Sequence, residues 1–433
     1  MGELTQIVPF EMVDAVLAET GTVQRRVREL PSRVVVYLLL AAALFAEYGY
    51  RGVWARMTAV LQGVGVADPT AGAMAQARGR IGPAPLAALF DLLRGPAAAG
   101  RGGRGVWWHG RLVCAVDGTM MCCPDTEANL RVYRKGGGSH GGTGYPMVRL
   151  LALVACGTRS LIDVAFGTTS DGETTYTRGL LPALHQGMIL LADRNFAAAD
   201  LIEEIAATRA DVLVRTKTGR RLPVCRRLPD GSWISRIGTV EVRVIRCAIA
   251  IATSQGRRSE AYQLVTTVTD PEIAAAELIR LYHERWEIET AFLELKQTIL
   301  GGRVLRARTP GGVEQEIYAL LVTYQALRTA MADATLTRSD VDPDRCSFTI
   351  ALAAARDQLI KAEGVIADTA IDLAGAIGVL VLQDLMPARR LRISPRVVKR
   401  AISNYAPNTG KGRLRGPSYQ TTISIDILTD PDP

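Results

Sequence analysis

Long apolar stripes and short apolar runs divide the chain into a helical part and a strand-rich part. Residues 1–100 carry long apolar stripes with few turn signals, above all from Arg26 to Leu61. This pattern predicts a helical N-terminal domain, which we expect to bind DNA. The glycine- and proline-rich stretch Gly95–Gly105 is predicted to be a linker that ends this domain.

Short apolar runs in residues 106–215 predict the order strand, strand, strand, helix, strand, helix, strand. The predicted strands are Leu112–Val116, Arg149–Ala155, Leu161–Phe166, Met188–Ala192 and Val212–Val214, and the predicted helices are Thr174–His185 and Ala197–Thr208. Asp117 and Asp193 each follow an apolar strand directly. Since sites in α/β sheets collect at the carboxyl ends of strands, both aspartates are candidate site residues.

The remaining sequence predicts a β-rich insertion and a helical end. Val240, Val242 and Val244 alternate with polar residues inside residues 216–269, as in a half-buried strand. Residues 270–335 predict two long helices, one from after Pro271 to Ile299 and one from Glu314 to Met331. We therefore predict an α/β core (106–215 with 270–335), a mixed sheet flanked by helices, and a helical C-terminal region with a basic tail in 336–433.

Positive charge is concentrated in two stretches of the sequence. The whole chain has a formal charge of +8, yet residues 215–258 and residues 387–416 each contain nine more basic than acidic residues. A basic balance favours a polyanionic partner, either nucleic acid or a membrane surface. Segregated charge is expected of a surface that follows a phosphate backbone, and the tail lacks the amphipathic apolar face of a membrane-surface helix.

Cysteine usage and apolar runs predict a cytoplasmic protein without a membrane span. The seven cysteines form no CxxC pair, which favours reduced, buried thiols over disulfides or zinc ligands. The longest apolar run, Val34 to Ala46, is too short to cross a bilayer. The N-terminus shows no signal-peptide pattern.

One predicted helix carries a stripe of polar side chains. At 100° per residue, Tyr282, Arg285, Glu289 and Lys296 fall within about 60° of one another. The acids of the same helix, Glu284, Glu287 and Glu294, fall at about 120–200° and are expected to form its solvated face. Ordinary surface pairing between residues four apart explains the stripe equally well at this stage.

Asp117, Asp193 and Glu289 form a carboxylate set suited to hard cations. Three carboxylates from different elements can hold two Mg²⁺ ions about 3.5–4 Å apart. They need no histidine or cysteine, because Mg²⁺ prefers oxygen ligands. Each aspartate taken alone is equally well explained as a turn or helix-capping residue after a strand.

Three sequence blocks together resemble the transposases of the insertion-sequence-four type. Tyr282-x2-Arg285-x3-Glu289-x6-Lys296 resembles their Y-R-E-K signature, AVDGT at 115–119 their first aspartate block, and LADRNF at 191–196 their second. The resemblance implies an RNase-H-like core, Mg²⁺- or Mn²⁺-dependent DNA cleavage and strand transfer at transposon ends, and metal ligation by Asp117, Asp193 and Glu289.

The resemblance also implies contacts with double-stranded DNA. Tyr282, Arg285 and Lys296 are expected at transposon-end phosphates. Trp286 and Trp233 are candidates for stacking on a flipped base, with burial as the alternative for each. Joining two ends implies at least a homodimer.

The basic, glycine-rich segment Arg131–Tyr145 is predicted to be either a phosphate-contacting loop with Arg134 and Lys135 or a plain linker, since it lacks the GK[ST] ending of a nucleotide-binding loop.

Two other functions fit the same sequence. One is a two-metal nuclease of this fold that cuts DNA but does not rejoin it, since strand transfer uses the same site with a different nucleophile. The other is an inactive DNA-binding relative. The intact carboxylate trio favours an active transposase over the second.

Overall fold

The computed structural model describes residues 2–26, 28–61, 65–98, 103, 105–136, 144–253, 256–338, 340–361, 374–387 and 422–428. Most of the predicted basic tail, the middle of the predicted linker and residues 137–143 of the 131–145 segment lie outside the described residues.

The described residues of the N-terminal part form mainly helices, as the apolar stripes predict: α1 Leu4–Ile7, α2 Phe10–Glu19, α3 Ser32–Leu44, α4 Tyr50–Met57, α5 Ala71–Ile81 and α6 Ala84–Leu93. The apolar run after Arg33 makes α3 almost entirely buried. Its residues join one hydrophobic core with one face of the sheet described below. The N-terminal helices thus pack directly on the remainder of the chain.

The strands and helices predicted in residues 106–215 are all present in the predicted order, with two unpredicted additions, the short strand Trp107–Trp108 and the helix Glu127–Val132. The elements are β1 Trp107–Trp108, β2 Arg111–Cys122, α7 Glu127–Val132, β3 Met147–Ala155, β4 Leu161–Thr168, α8 Glu173–Leu180, β5 Met188–Ala192, α9 Ala199–Ala207 and β6 Asp211–Thr216. The sheet order β4-β3-β2-β5-β6 has β3 antiparallel to β2 and β4, and β5 parallel to β2 and β6. This is the RNase-H-like core, with α8 and α9 on one face and the long helices below on the other.

Strand β2 does not end at Asp117, contrary to the prediction. It continues to Cys122, with Asp117 opposite Ala152 of β3. Only the parallel pairing with β5 stops earlier, at Ala115 opposite Leu191. The antiparallel partner therefore extends the strand where the parallel partner has already ended.

The β-rich insertion is confirmed as strands, and these strands continue the central sheet. They are β7 Arg226–Arg227, β8 Trp233–Ile237, β9 Val240–Thr253 and β10 Gly256–Thr266. Strand β10 pairs antiparallel with β6, so that Val265 lies opposite Val214. The sheet thus runs without interruption from the core into the insertion.

The prediction of one long α-helix from after Pro271 to Ile299 is wrong. It consists of α10 Ala275–Tyr282, a 3₁₀ turn His283–Arg285, α11 Trp286–Leu293 and a π-helical segment Glu294–Ile299. The apolar pattern alone does not reveal such changes of pitch, because the buried positions still recur roughly every three to four residues.

The second long helix and the C-terminal helices follow the prediction. They are α12 Pro310–Leu336, α13 Phe348–Lys361 and α14 Gly375–Gln383. A strand that the sequence did not predict, β11 Thr422–Ile427, pairs antiparallel with β9. No helix within the described ranges is long and apolar enough to cross a membrane.

Candidate active site

The two aspartates lie beside each other at one edge of the sheet. Asp117 comes two residues after the last parallel pair of β2 with β5, and Asp193 directly follows β5. Asp193 is the N-cap of the 3₁₀ turn Arg194–Phe196 and accepts a 2.8 Å hydrogen bond from the amide of Asn195. Asp117 accepts one of 2.8 Å from the amide of Gly118. The local backbone thus fixes both carboxylates where the parallel pairing of β2 with β5 ends.

Arg285 connects Glu289 with Asp117. Its Nη2 donates to Glu289 Oε1 at 3.0 Å, and its Nη1 lies 3.4 Å from Asp117 Oδ2. The arginine is buried, whereas the Glu289 side chain is 42% exposed. One side of Glu289 therefore faces solvent, and the Arg285 guanidinium lies between Glu289 and Asp117.

Three acids, Asp117, Asp193 and Glu289, lie close enough together for their charges to interact. The pKa of Asp117 is raised to about 6. Burial raises it most and the nearby charges of Asp193 and Glu289 add to this, while Arg285 and the Gly118 amide oppose the shift. Burial lowers the pKa of Arg285, but Tyr282, Asp117 and Glu289 raise it more, so it stays charged. Three acids thus share an edge of the sheet that attracts further cations.

Lys296 and Tyr282 flank the same edge. Lys296 Nζ donates to Thr119 Oγ1 at 3.1 Å, two residues along β2 from Asp117, and burial lowers the pKa of this lysine. Tyr282 is buried, which raises its pKa to about 12. The structure therefore brings the predicted stripe of Tyr282, Arg285, Glu289 and Lys296 together on the side of the helix that faces β2.

Arg215 is a cation of this site that sequence reasoning did not single out. It lies one residue after Val214, which is opposite Ala192, the residue before Asp193. Its guanidinium stacks on the ring of Tyr262 in β10, 4.1 Å from the centroid, and its charge acts on Tyr282. Its position after the apolar run of β6, parallel to the run before Asp193, is the signal that could have found it.

The two candidate tryptophans differ in accessibility. Trp286 is partly exposed, beside Arg285 and within one helical turn of Glu289. Trp233 lies on β8, and it is 1% exposed inside the core between the sheet and its covering helices. The expectation that Trp233 offers a stacking surface is therefore corrected: the apolar residues around it bury its ring.

The basic pair Arg134 and Lys135 follows α7, beyond the site on the same side of the sheet. Lys135 forms a bridge with Pro146, next to the end of β2, and its Nζ contacts Asp125 at 2.6 Å. Arg134 is exposed. The position agrees with a loop near the site, and only Arg134 presents its charge fully to solvent.

The acids predicted for the solvated face of the glutamate helix are buried, and that prediction is wrong. Glu284, Glu287 and Glu294 are 7%, 3% and 5% exposed. The wheel assumed one regular α-helix, whereas the segment changes pitch at both ends of α11. More importantly, Arg159 and Arg328, which are remote in sequence, bind Glu287 and Glu294.

The carboxylate set fits divalent cations that are shared with a substrate. Within the part of the chain that the structure describes, no three His, Cys, Asp or Glu side chains surround one point closely enough to hold a metal ion. Mg²⁺ commonly takes only one or two protein carboxylates and completes its shell with water and substrate phosphates. Asp117 and Asp193 on adjacent strands, with Glu289 across Arg285, offer this kind of incomplete oxygen shell.

Comparison with known proteins agrees with this geometry. A family model described as insertion element 4 transposase N-terminal matches residues 1–91, and one described as transposase DDE domain matches residues 108–325. The transposase InsG for insertion sequence element IS4 of Escherichia coli (strain K12) is 26% identical over 413 residues, 90% of this chain and 90% of its own. The putative transposase InsZ of the same strain is 27% identical over 45% of this chain and 64% of its own.

Among solved structures, the cryo-EM structure of the piggyBac transposase synaptic complex with hairpin DNA aligns with 90% of this chain and 86% of its own. The TM-score is 0.44 and the identity 9%.

Proposed function

Since this chain belongs to the insertion element 4 family of DDE transposases, we propose that it cuts DNA at the terminal inverted repeats of its own element and joins the freed ends to target DNA. As a transposase it uses divalent metal ions; we propose two Mg²⁺, for which Mn²⁺ can substitute. Asp117, Asp193 and Glu289 are the proposed ligands.

The observation that carries the proposal is that three carboxylates lie together at one end of the sheet. Two adjacent strand ends and one helix contribute acids to the same place, and burial leaves the pKa of Asp117 raised to about 6. When bound there, the ions activate the attacking water or 3′-hydroxyl and stabilise the leaving 3′-oxygen. The residues themselves hold the ions on one side and leave the other side open for a DNA phosphate.

Cations arranged around the carboxylates are the proposed phosphate contacts. Arg285 and Lys296 lie on either side of Glu289 along the helix, and Tyr282 lies about one turn before Arg285. Arg285 touches two of the acids, so it can exchange these contacts for a phosphate once metal ions supply positive charge. We propose that Arg215 extends this track toward the insertion and that Arg134 and Lys135 extend it beyond the end of β2.

Trp286 is the proposed contact for an unstacked base. It is partly exposed, and its neighbour Arg285 lies within 5.6 Å of its ring. Stacking on an aromatic side chain tolerates any base, because every base offers a π-face. A flipped base is what a hairpin at the transposon end requires, so a hairpin route is compatible with this position.

Joining two ends in one reaction requires at least two copies of the active site. We therefore propose a homodimer in the complex with both ends, formed on double-stranded DNA. In a bacterial cell the substrate is the chromosome, so we expect the protein in the cytoplasm with the nucleoid.

The direct test uses purified full-length chain, a duplex with the terminal inverted repeat of its element, a target plasmid and Mg²⁺. We expect nicks at the repeat boundary and covalent joining of the repeat to the plasmid. Glu289→Gln should abolish both reactions and retain binding of the duplex in EDTA. The matched control is Glu272→Gln, at an exposed glutamate just before α10, which should behave as wild type.

Each alternative predicts a different product. Cleavage without joining, with either metal, would identify a nuclease. Binding without cleavage by the wild-type chain would identify an inactive relative. Equal cleavage by Glu289→Gln and the wild type would remove Glu289 from the site.

A further inference from the structure

A group of four buried charged side chains lies on the side of α11 opposite to Glu289. We call Arg159, Glu287, Glu294 and Arg328 the buried charge cluster. Arg159 Nε donates to Glu287 Oε2 at 2.5 Å, and its Nη1 donates to Glu294 Oε1 at 3.3 Å. Arg328 Nη2 donates to Glu294 Oε2. Two arginines and two glutamates therefore balance each other without help from solvent.

All four side chains are deeply buried. Arg159, Glu287, Glu294 and Arg328 are between 1% and 5% exposed. Ion pairs at such depth contribute little net stability, because desolvation offsets the attraction, and apolar replacements of equal volume are often as stable. Stability alone therefore does not explain charged residues here. What charges add over apolar side chains is a requirement for one arrangement of donors and acceptors.

The cluster connects three elements that are far apart in the sequence. Arg159 stands in the turn between β3 and β4 in a left-handed conformation with φ 56°, and its carbonyl accepts a 2.9 Å hydrogen bond from Tyr324 of α12. Tyr324 and Arg328 are one turn apart on α12, and both lie at Glu294. The glutamates belong to α11 and its π-helical continuation, so a rigid turn and a long buried helix hold this segment.

The buried charge cluster and the active site use side chains on opposite faces of α11. Glu287 precedes Glu289 by two residues, which turns the side chain by about 200° around the helix axis. If α11 rotated while keeping its apolar contacts, its pairs with Arg159 would therefore break. The same rotation would move Glu289 away from Asp117. Apolar contacts by Ile288 and Ala291 permit small rotations and slides that the charged pairs forbid.

We propose that Arg159, with Glu287, Glu294 and Arg328, is a positioning device that fixes the rotation of α11 and so aims Glu289 at the aspartates. This inference rests on the proposed metal site at Asp117, Asp193 and Glu289. The cluster touches neither metal nor DNA. It acts through helix α11, where a displacement of about 1 Å can cost on the order of 100-fold in rate.

The test separates positioning from stability with the double variant Arg159→Met/Glu287→Leu. It replaces one ion pair by apolar side chains and leaves Glu294 paired with Arg328. We expect the variant to fold with a Tm close to that of the wild type and to bind the terminal-repeat duplex equally well in EDTA. The kcat for cleavage should fall by about 10–100-fold with little change in KM, since only the aim of Glu289 is lost.

A second readout does not depend on DNA or activity. Mn²⁺ titrated into the metal-free chain and followed by electron paramagnetic resonance should bind at least about threefold more weakly to the double variant, because misaimed ligands lower metal affinity. If the wild-type chain does not cleave, the proposed function fails, while the Mn²⁺ titration still tests the aim of the carboxylates.

Two further variants keep the inference falsifiable. Glu287→Gln preserves size and should show the same split of kcat from KM to a smaller degree, even if the double variant does not fold. Arg111→Met/Asp211→Leu removes a half-buried pair at the other end of β2 and β6 and should cleave as the wild type does. A folded Arg159→Met/Glu287→Leu variant with wild-type kcat and Mn²⁺ affinity, or a Glu287→Gln variant with both unchanged, overturns the proposal.

Discussion

Two groups of acidic side chains lie on opposite sides of α11, and they differ in how their charge is balanced. On one side Asp117, Asp193 and Glu289 outnumber the arginine that joins them, and the side chain of Glu289 opens to solvent. On the other side Glu287 and Glu294 meet two arginines in the protein interior. Acids that are all paired in the interior are complete without a ligand, whereas acids that share one arginine and open to solvent can take up cations from outside.

The largest effect expected from this comparison is the loss of a carboxylate from the unbalanced side. Glu289→Gln should reduce the rate of end cleavage by on the order of 10³-fold, because one charged ligand to the metal ions is lost. Its thermal stability should stay within a few degrees of the wild type, since the side chain is partly exposed. Quantified cleavage of an end-labelled duplex and a thermal melt measure the two effects. A Glu289→Gln variant that melts far below the wild type would contradict this contrast.

Loss of a partner from the buried charge cluster should instead affect mainly stability. Arg328→Met leaves Arg159 as the one arginine that pairs with the buried Glu287 and Glu294 in this cluster, and should lower the free energy of unfolding by about 3–5 kcal/mol. Urea unfolding followed by circular dichroism measures the loss. Arg338→Met, at an exposed pair with Asp340, serves as the control and should leave the unfolding midpoint unchanged. Equal unfolding midpoints for the two variants would show that the charges of the buried charge cluster do not depend on one another.

Trp286 and Trp233 sharpen the same contrast with uncharged side chains. Trp286→Ala should slow formation of the cleaved end by about 10-fold, which corresponds to roughly 1.4 kcal/mol of lost stacking. Trp233→Ala should instead cost about 3–5 kcal/mol of folding free energy, because it empties a core position. Cleavage kinetics and urea unfolding on both variants check the pair. A Trp233→Ala variant as stable as the wild type would contradict the buried position of Trp233.

The smallest effect expected concerns metal affinity without DNA. Arg285→Gln removes the cation between Asp117 and Glu289, so Mn²⁺ should bind about fivefold more tightly, which corresponds to about 1 kcal/mol of charge repulsion at high effective dielectric. Isothermal titration of the metal-free chain measures this change. The variant should nonetheless cleave more slowly, because a proposed phosphate contact is lost. Unchanged or weaker Mn²⁺ binding would mean that Arg285 does not compete with the ions.

Much of the fold and the unbalanced side could be predicted from local patterns. The apolar runs before Asp117 and Asp193 identify two strands, and parallel neighbours place both ends at one edge. The spacing of Arg285, Glu289 and Lys296 survives the changes of helical pitch around α11. These features depend on residues within one element or on the order of elements, and the sequence displays both directly.

The balanced side could not be predicted, for a physical reason. Arg159 meets Glu287 across 128 residues of chain, and nothing near either residue signals a partner. A buried glutamate on a helix has the same local pattern as a solvated one, so the wheel placed Glu284, Glu287 and Glu294 at the surface. Trp233 and β11 were missed similarly, because their burial and pairing depend on contacts with remote strands.

The hydrogen-bonded junction of β6 with β10 has a mechanical consequence. Thr216 lies opposite Gln263 in an unbroken ladder, and the Gln263 side chain also donates to the Thr216 hydroxyl at 3.1 Å. Bending at this seam would rupture main-chain bonds, so the insertion moves as one plate with the strands that bear Asp117 and Asp193. The DNA must then change shape to fit the rigid sheet. Element ends whose sequences kink or untwist easily therefore become the better substrates.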